Sequence, residues 1–320
     1  MSEKKMTSIG GQAIIEGVMM RGPHKIAMAV RKPDGEIVIE EKPNKINKVI
    51  SKIPLVRGVV SFFESMIIGV QALMFSANFY DVDDGTAKTE DEKDMKSENN
   101  VGVGVSTTHQ EEIPAYMMYL SVFVSLLLSI GMFILLPNFI SGLIVPNKEG
   151  NVILYNAVES VLRISIFIIY LLLVSRMKDI QRVFEYHGAE HKTIFCYESG
   201  EELTPENVKK YKRFHPRCGT SFLLFVMIIS IIVFSFVGRH PNLLINMLIR
   251  LALLPLVAGI SYEIIKFAGR NSDKKCISWL NQPGMWLQML TTREPDESQI
   301  DVAIASLKAV IPEDRNEDIW

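Results

Sequence analysis

Residues 219–238 read GTSFLLFVMIISIIVFSFVG, twenty positions without a charge. At 1.5 Å rise per residue, about 20 apolar residues make a helix as long as the hydrocarbon core of a bilayer is thick. A transmembrane helix is therefore predicted here. Upstream, residues 116–136 (YMMYLSVFVSLLLSIGMFILL) are equally free of charge. Two further runs have the length but carry polar groups: 153–175, with Glu159 and Arg163, and 243–267, with Arg250, Glu263 and Lys266. The expected fold class is mainly α, a polytopic membrane protein with about four transmembrane helices.

The averages of the chain conceal this pattern. Its 320 residues are 48% hydrophobic and 22% charged, with a formal net charge of −2, values an ordinary soluble domain would also have. The mean hydropathy of +0.19 is positive despite the normal charge, so charged and apolar residues must be segregated. This composition excludes a disordered chain, a collagen-like fibre and a disulfide-dense secreted scaffold, and it gives no support to nucleic-acid binding. Cys196, Cys218 and Cys276 are odd in number and irregularly spaced, and they read as reduced thiols or metal ligands. The N-terminal MSEKKMTSIGG lacks an apolar core, so no cleavable signal peptide is expected.

A fifth apolar segment, residues 58–80, places Glu64, Gln71 and Asn78 seven apart, on nearly one helical face. That spacing suits an interfacial or re-entrant helix. Basic residues test the choice. Residues 1–57 hold 11 Lys and Arg and residues 176–218 hold 9, whereas the loops at 137–152 and 238–242 hold one each, Lys148 and Arg239. Four spans put every basic segment on one side, which the positive-inside rule identifies as cytoplasmic, with both termini there.

The remaining chain divides accordingly. Residues 1–57 are expected to form a small cytoplasmic β-rich unit, because 26–41 holds two β-type runs around the turn signal Pro33-Asp34-Gly35. Its glycines fit no phosphate-binding pattern, although Glu16 and Arg21, flanked by Gly17 and Gly22, remain functional candidates beside the simpler reading of a pair that closes a turn. Residues 81–113, with 10 acidic and 3 Lys residues, read as a disordered linker. Residues 114–270 form the membrane domain, and 271–320 a cytoplasmic tail with an amphipathic helix.

Chemistry concentrates in the 176–218 loop. His187-Gly188-Ala189-Glu190-His191 is an H-x-x-E-H string, and His215-Pro216-Arg217-Cys218 follows. On a helix, His187 and His191 project from one face and reach one ion, zinc or another divalent metal, with His215 and Cys218 completing a tetrahedral set or one of them leaving the fourth position to water. Glu190 is placed to orient a ligand or to act as general base toward water. Gly188 within the string weighs against a regular helix. The opposing reading has these histidines bonding phosphate or backbone groups, and Cys218 simply buried.

The intramembrane charges admit two readings. Glu159 and Arg163, at i and i+4, are either a structural pair, with Arg250 reaching outward, or part of a polar path for a proton, ion or lipid headgroup. Glu263 either donates a further ligand to the histidine loop or stays at the interface beside Lys266.

The blocks GGQAIIEGVMMRGP, AVRKPDGEIVIEE, EYHGAEHKTIFCYE, HPRCGTSFLLFV, YEIIKFAGR and QPGMWLQMLTTREPDESQIDVAIASL together resemble the YqhQ-like family of bacterial membrane proteins. The resemblance covers nearly the whole chain outside the acidic segment and the extreme termini. It implies a bacterial cytoplasmic membrane location and a predicted metal-dependent enzyme, with His187, Glu190, His191, His215 and Cys218 as the natural site positions. The leading expectation is a metal-dependent hydrolase acting on a lipid or membrane-associated substrate. The alternative is a non-catalytic transporter, channel or assembly factor that uses the intramembrane polar residues. Membrane lipids are the expected partners, with a homo-oligomer or a cytoplasmic protein partner also open.

Overall fold

A computed structural model describes residues 6–44, 53–80, 115–145, 152–237, 242–271 and 275–319. The acidic segment 81–113, Lys148, Arg239 and the side chain of Cys276 lie outside the described residues.

The N-terminal strands are β1 (Gly10–Ile14), β2 (Gly17–Arg21), β3 (Lys25–Arg31) and β4 (Ile37–Pro43), an antiparallel meander in that order. Met19 faces Met28 and Val18 faces Ala29 across the β2–β3 pair. Gly35, at φ 90°, makes the predicted turn between β3 and β4, donating its N–H to Lys32 O at 2.9 Å. Strands β2 and β3 are buried on both faces, which explains their almost unbroken apolar sequence. Val18, Met20, Ala27 and Ala29 pack with helices α5 (Lys178–Glu198) and α10 (Glu297–Val310), at the far end of the chain. Ile14, Met19, Met28 and Val30 face the other way, onto α1 (Val56–Ala77), which meets them with Ile68, Ala72 and Phe75, joined by Phe79 just past its end. The three helical residues recur at helical spacing, so one stripe of α1 covers the sheet.

Among the described residues, five helices are long and apolar enough to cross a membrane: Val56–Ala77, Leu120–Ile144, Ile153–Val174, Gly219–Val237 and Leu244–Arg270. This is one more than the sequence suggested, because the polar residues of 58–80 do not interrupt α1; Glu64 is neutralised by Arg21 of β2 at 2.8 Å. The second candidate comprises α2 (Ala115–Ile130), a π turn at Gly131–Leu135 and α3 (Leu136–Ile144). The others are α4 (Val152–Val174), α7 (Gly219–Val237) and α8 (Leu243–Arg270). Helix α7 packs on α8 and α4, and α3 packs on α4. Outward-facing Leu128, Ile153 and Phe236 are largely exposed, as expected of surfaces that meet lipid rather than water. The fold is consistent with a multi-pass integral membrane protein, mainly helical, with a small antiparallel sheet.

Two elements depart from the sequence reading. The 176–218 loop is largely helical, with α5 running 21 residues through Gly188, followed by the short α6 (Pro205–Lys209). The tail holds two helices, since α9 (Lys275–Thr291) precedes α10 and packs against α7. The predicted terminal helix starts at a capping box in which Asp296 and Gln299 satisfy each other's backbone N–H groups.

A candidate metal centre

Helix α5 follows directly on α4, and Cys218 immediately precedes α7, so the H-x-x-E-H string and the cysteine meet at one end of the helical bundle. Gly188 permits the helix rather than breaking it. A Cβ there would lie 2.0 Å from the carbonyl oxygen of Arg293, and this close approach lets the segment after α9 cross α5. The last residue of α9 supplies a site partner: Thr291 O lies 2.8 Å from His187 Nδ1. His191 Nδ1 is 2.5 Å from Arg213 O. A carbonyl only accepts, so both Nδ1 atoms carry the proton and both Nε2 atoms are left to act as ligands.

The two imidazole rings are 4.4 Å apart, and His187 Nε2 is 3.2 Å from Cys218 Sγ. One ligand atom each from His187, His191 and Cys218 lies within 4.8 Å of the others. The Cys218 sulfur also accepts the Thr220 N–H at 3.3 Å. Burial alone would raise the Cys218 pKa, but the two histidines outweigh it and hold the thiol well below its ordinary value. For His187, burial disfavours the charged form, yet the Cys218 sulfur and Glu190 bring its pKa up to about 9. Glu190 is buried, which raises its pKa against the pull of both histidines. Its carboxylate receives a hydrogen bond from the Gly11 backbone, while Oε2 has no hydrogen-bond partner among the described residues.

His215 is buried next to this group but engaged elsewhere. Gln288 of α9 clamps its backbone, accepting its N–H at 2.8 Å and donating to its carbonyl at 2.8 Å. Its Nδ1 accepts the Arg217 N–H at 3.3 Å, and its Nε2 faces Glu198 at 3.9 Å. Burial brings the His215 pKa down to about 4, against the pull of Glu198. Glu198, whose own burial works the other way, is held below the usual carboxylate range by His215 and Arg217, and it also accepts the Thr7 N–H at 2.9 Å.

The other candidates lie apart. Glu16, at φ 48°, bonds Arg182 and Tyr186 of α5, while Arg21 bonds Glu64, so these two do not pair to close a turn. Glu263 binds Arg57 at 2.7 and 2.5 Å and does not face the histidines. Arg250 does not reach outward. It grips Glu159 with both terminal nitrogens, and Arg163 joins them at 2.6 Å and also donates to Phe133 O within the π turn. Residues missed in the sequence are Thr291, Gln288, Glu198 and Gly11. Only Glu198 carried a signal, lying two turns beyond His191 on the same helical face; backbone partners leave no mark in residue type.

A helical membrane bundle closed at one end by an α/β unit, with a largely buried His/His/Cys group at the junction, defines the class of protein. Residues 53–313 match the family described as protein of unknown function (DUF1385), and the chain belongs to that family. It is 37% identical over 319 residues to the uncharacterized protein YqhQ of Bacillus subtilis (strain 168), a match spanning 97% of this chain and 95% of that relative. No solved structure matches. The family description names neither a metal nor a reaction.

Proposed function

We propose that His187, His191 and Cys218 hold a divalent metal, zinc first, in a metal-dependent hydrolase that acts at the cytoplasmic face of a bacterial membrane on a lipid or membrane-associated ester. The carrying observation is the pair of backbone carbonyls that occupy both Nδ1 atoms, leaving His187 Nε2 against the Cys218 sulfur and a ligand atom of His191 within 4.8 Å of both. Two imidazoles and a thiolate suit zinc, and three protein ligands leave a fourth position open, as in catalytic rather than structural sites. The orphaned Glu190 Oε2 fits the same reading, since a buried carboxylate oxygen without a partner is costly unless something else occupies its reach. A bound ion would supply the Lewis acidity for hydrolysis near neutral pH. Glu190 is placed to accept a proton from water and to hand it to a leaving group. His215 stays neutral and, through Gln288 and Glu198, fixes the chain that carries Arg213 and Cys218.

The basic segments at 1–57 and 176–218 support a cytoplasmic location for this end of the bundle and for both termini. On that reading α1 lies along the interface. Its start packs beside Gly259 and Tyr262 near the inner end of α8, and its later turns lie on the sheet. Metal analysis of the full chain, purified in detergent with zinc supplied, tests the reading. The expected result is about one zinc per chain in wild type and in Glu190→Gln, and under a tenth of that in His187→Ala/His191→Ala/Cys218→Ala. A wild-type protein without zinc sinks the proposal.

A further inference from the structure

A cavity of about 540 Å³ opens between the β1–β2 edge of the sheet, α1 and the last turns of α8. This volume is in the range that takes a small ligand or a lipid headgroup. Its charged lining is Arg21, Glu64, Lys266 and Arg270. Arg21 and Glu64 neutralise each other, and Asn44 further holds the Arg21 Nε at 3.2 Å. Lys266 and Arg270 form no ion pair among the described residues; Lys266 lies 5.9 Å from the centre of the Tyr262 ring. Among the described residues, the cavity therefore carries two positive charges that no ion pair neutralises. Glu263, the carboxylate within electrostatic reach of Lys266, is already paired with Arg57. Gln12, Ser61 and Ser65 are polar neighbours.

Position narrows the ligand. Tyr262, Lys266 and Arg270 are the residue types that mark the end of a span, where headgroups lie. The α1 wall shows the cavity its polar face, Ser61, Glu64 and Ser65, while Phe63, Met66 and Ile67 on its other side are 47%, 44% and 56% exposed. One helix thus offers an apolar surface beside a cationic chamber, the arrangement an anionic amphiphile requires. We propose that this cavity binds a phosphate group through Lys266 and Arg270, the phosphate belonging to an anionic lipid headgroup or a soluble phosphate ester. The site shares no residue with the metal centre and goes beyond it. The two adjoin at Gly11, which lines the cavity and bonds Glu190.

Native mass spectrometry of the full chain in a neutral detergent tests this with three probes: dioleoyl phosphatidylglycerol, dioleoyl phosphatidylcholine and glycerol 3-phosphate. The expected result is an adduct with phosphatidylglycerol or glycerol 3-phosphate that falls at least tenfold in K266Q/R270Q and survives in K266R/R270K. Retention of phosphatidylglycerol alone assigns the phosphate to a lipid, and retention of glycerol 3-phosphate alone to a soluble ester. Equal adducts in wild type and K266Q/R270Q, equal retention of phosphatidylcholine, loss in both variants, or no adduct overturns the proposal. Zinc content of the same samples reports separately on the His/Cys group.

Discussion

Gly188 separates His187 from Ala189 with no side chain, and the Arg293 carbonyl occupies the space a methyl group would need. Gly188→Ala therefore forces the 292–295 segment away from α5. Overpacking of this kind costs about 1–3 kcal/mol, and it also withdraws the Thr291 carbonyl from His187. A lowered melting temperature and a loss of zinc are expected together. Gly10→Ala, where a Cβ meets nothing within 4 Å, should leave both unchanged. Differential scanning fluorimetry alongside metal analysis checks the contrast. The same residue illustrates the limits of reading sequence locally. A glycine inside H-x-x-E-H argues against a helix by propensity, yet the reason it is there lies about a hundred residues away. The histidines, Glu190 and Cys218 were legible because their chemistry is written in residue type. The carbonyls of Arg213 and Thr291, which aim the rings, were not.

Among the elements, α4 and α8 are joined by a clasp in which one carboxylate, Glu159, serves two guanidiniums, with Arg163 and Arg250 also lying 5.5 and 5.3 Å from the Phe234 ring of α7. Glu159→Gln leaves two buried cations facing a neutral amide. Breaking a buried pair costs about 3–5 kcal/mol, so this variant should melt well below wild type in detergent while its zinc content before melting is unchanged. If it instead keeps its melting temperature, the clasp is not structural and the polar-path reading gains. The spans themselves were legible because an uncharged run of twenty residues has few other uses. Helix α9 was not, since Pro283 and Gly284 within it mimic a turn; the helix survives because Gly284 lets it approach Ser221 of α7. Helix α1 was legible as a helix and the N-terminal unit as β, but the packing of one on the other was not, because both faces of β2 and β3 are covered and no exposed face marks which side meets α1.

For the whole molecule, acidity should act through His215 and Glu198. His215 titrates at about 4 when folded and near 6.5 when unfolded, so between those values the unfolded chain binds the extra proton. Stability is then highest above pH 6.5 and falls as pH drops toward 4, by on the order of 3 kcal/mol for this group. Glu198, held below its ordinary value, acts in the same direction: its contribution is present above about 4.5 and is lost at lower pH. Protease susceptibility of the α/β unit, followed from pH 7.5 to 4, should rise across this window. His215→Gln should flatten its upper part. A profile that is unchanged by His215→Gln would show that another group controls acid stability.

The sheet and the helix that completes its core lie at opposite ends of the chain, β3 ending at Arg31 and α10 starting at Glu297. At 5–20 residues per second, a ribosome needs about 15 to 50 s to make the residues between them. During that interval every candidate span is synthesised, and α1 shields only one face of the strands. The Thr7–Ile319 bridge and the Thr7–Asp318 hydrogen bond then fasten the earliest described residues to the latest. Assembly of the α/β unit thus depends on both ends of the chain reaching the same end of the bundle. A chain whose bundle is misthreaded, with its two ends on opposite sides of the bilayer, can never close the core beneath its histidines, and so carries a built-in check on its own topology.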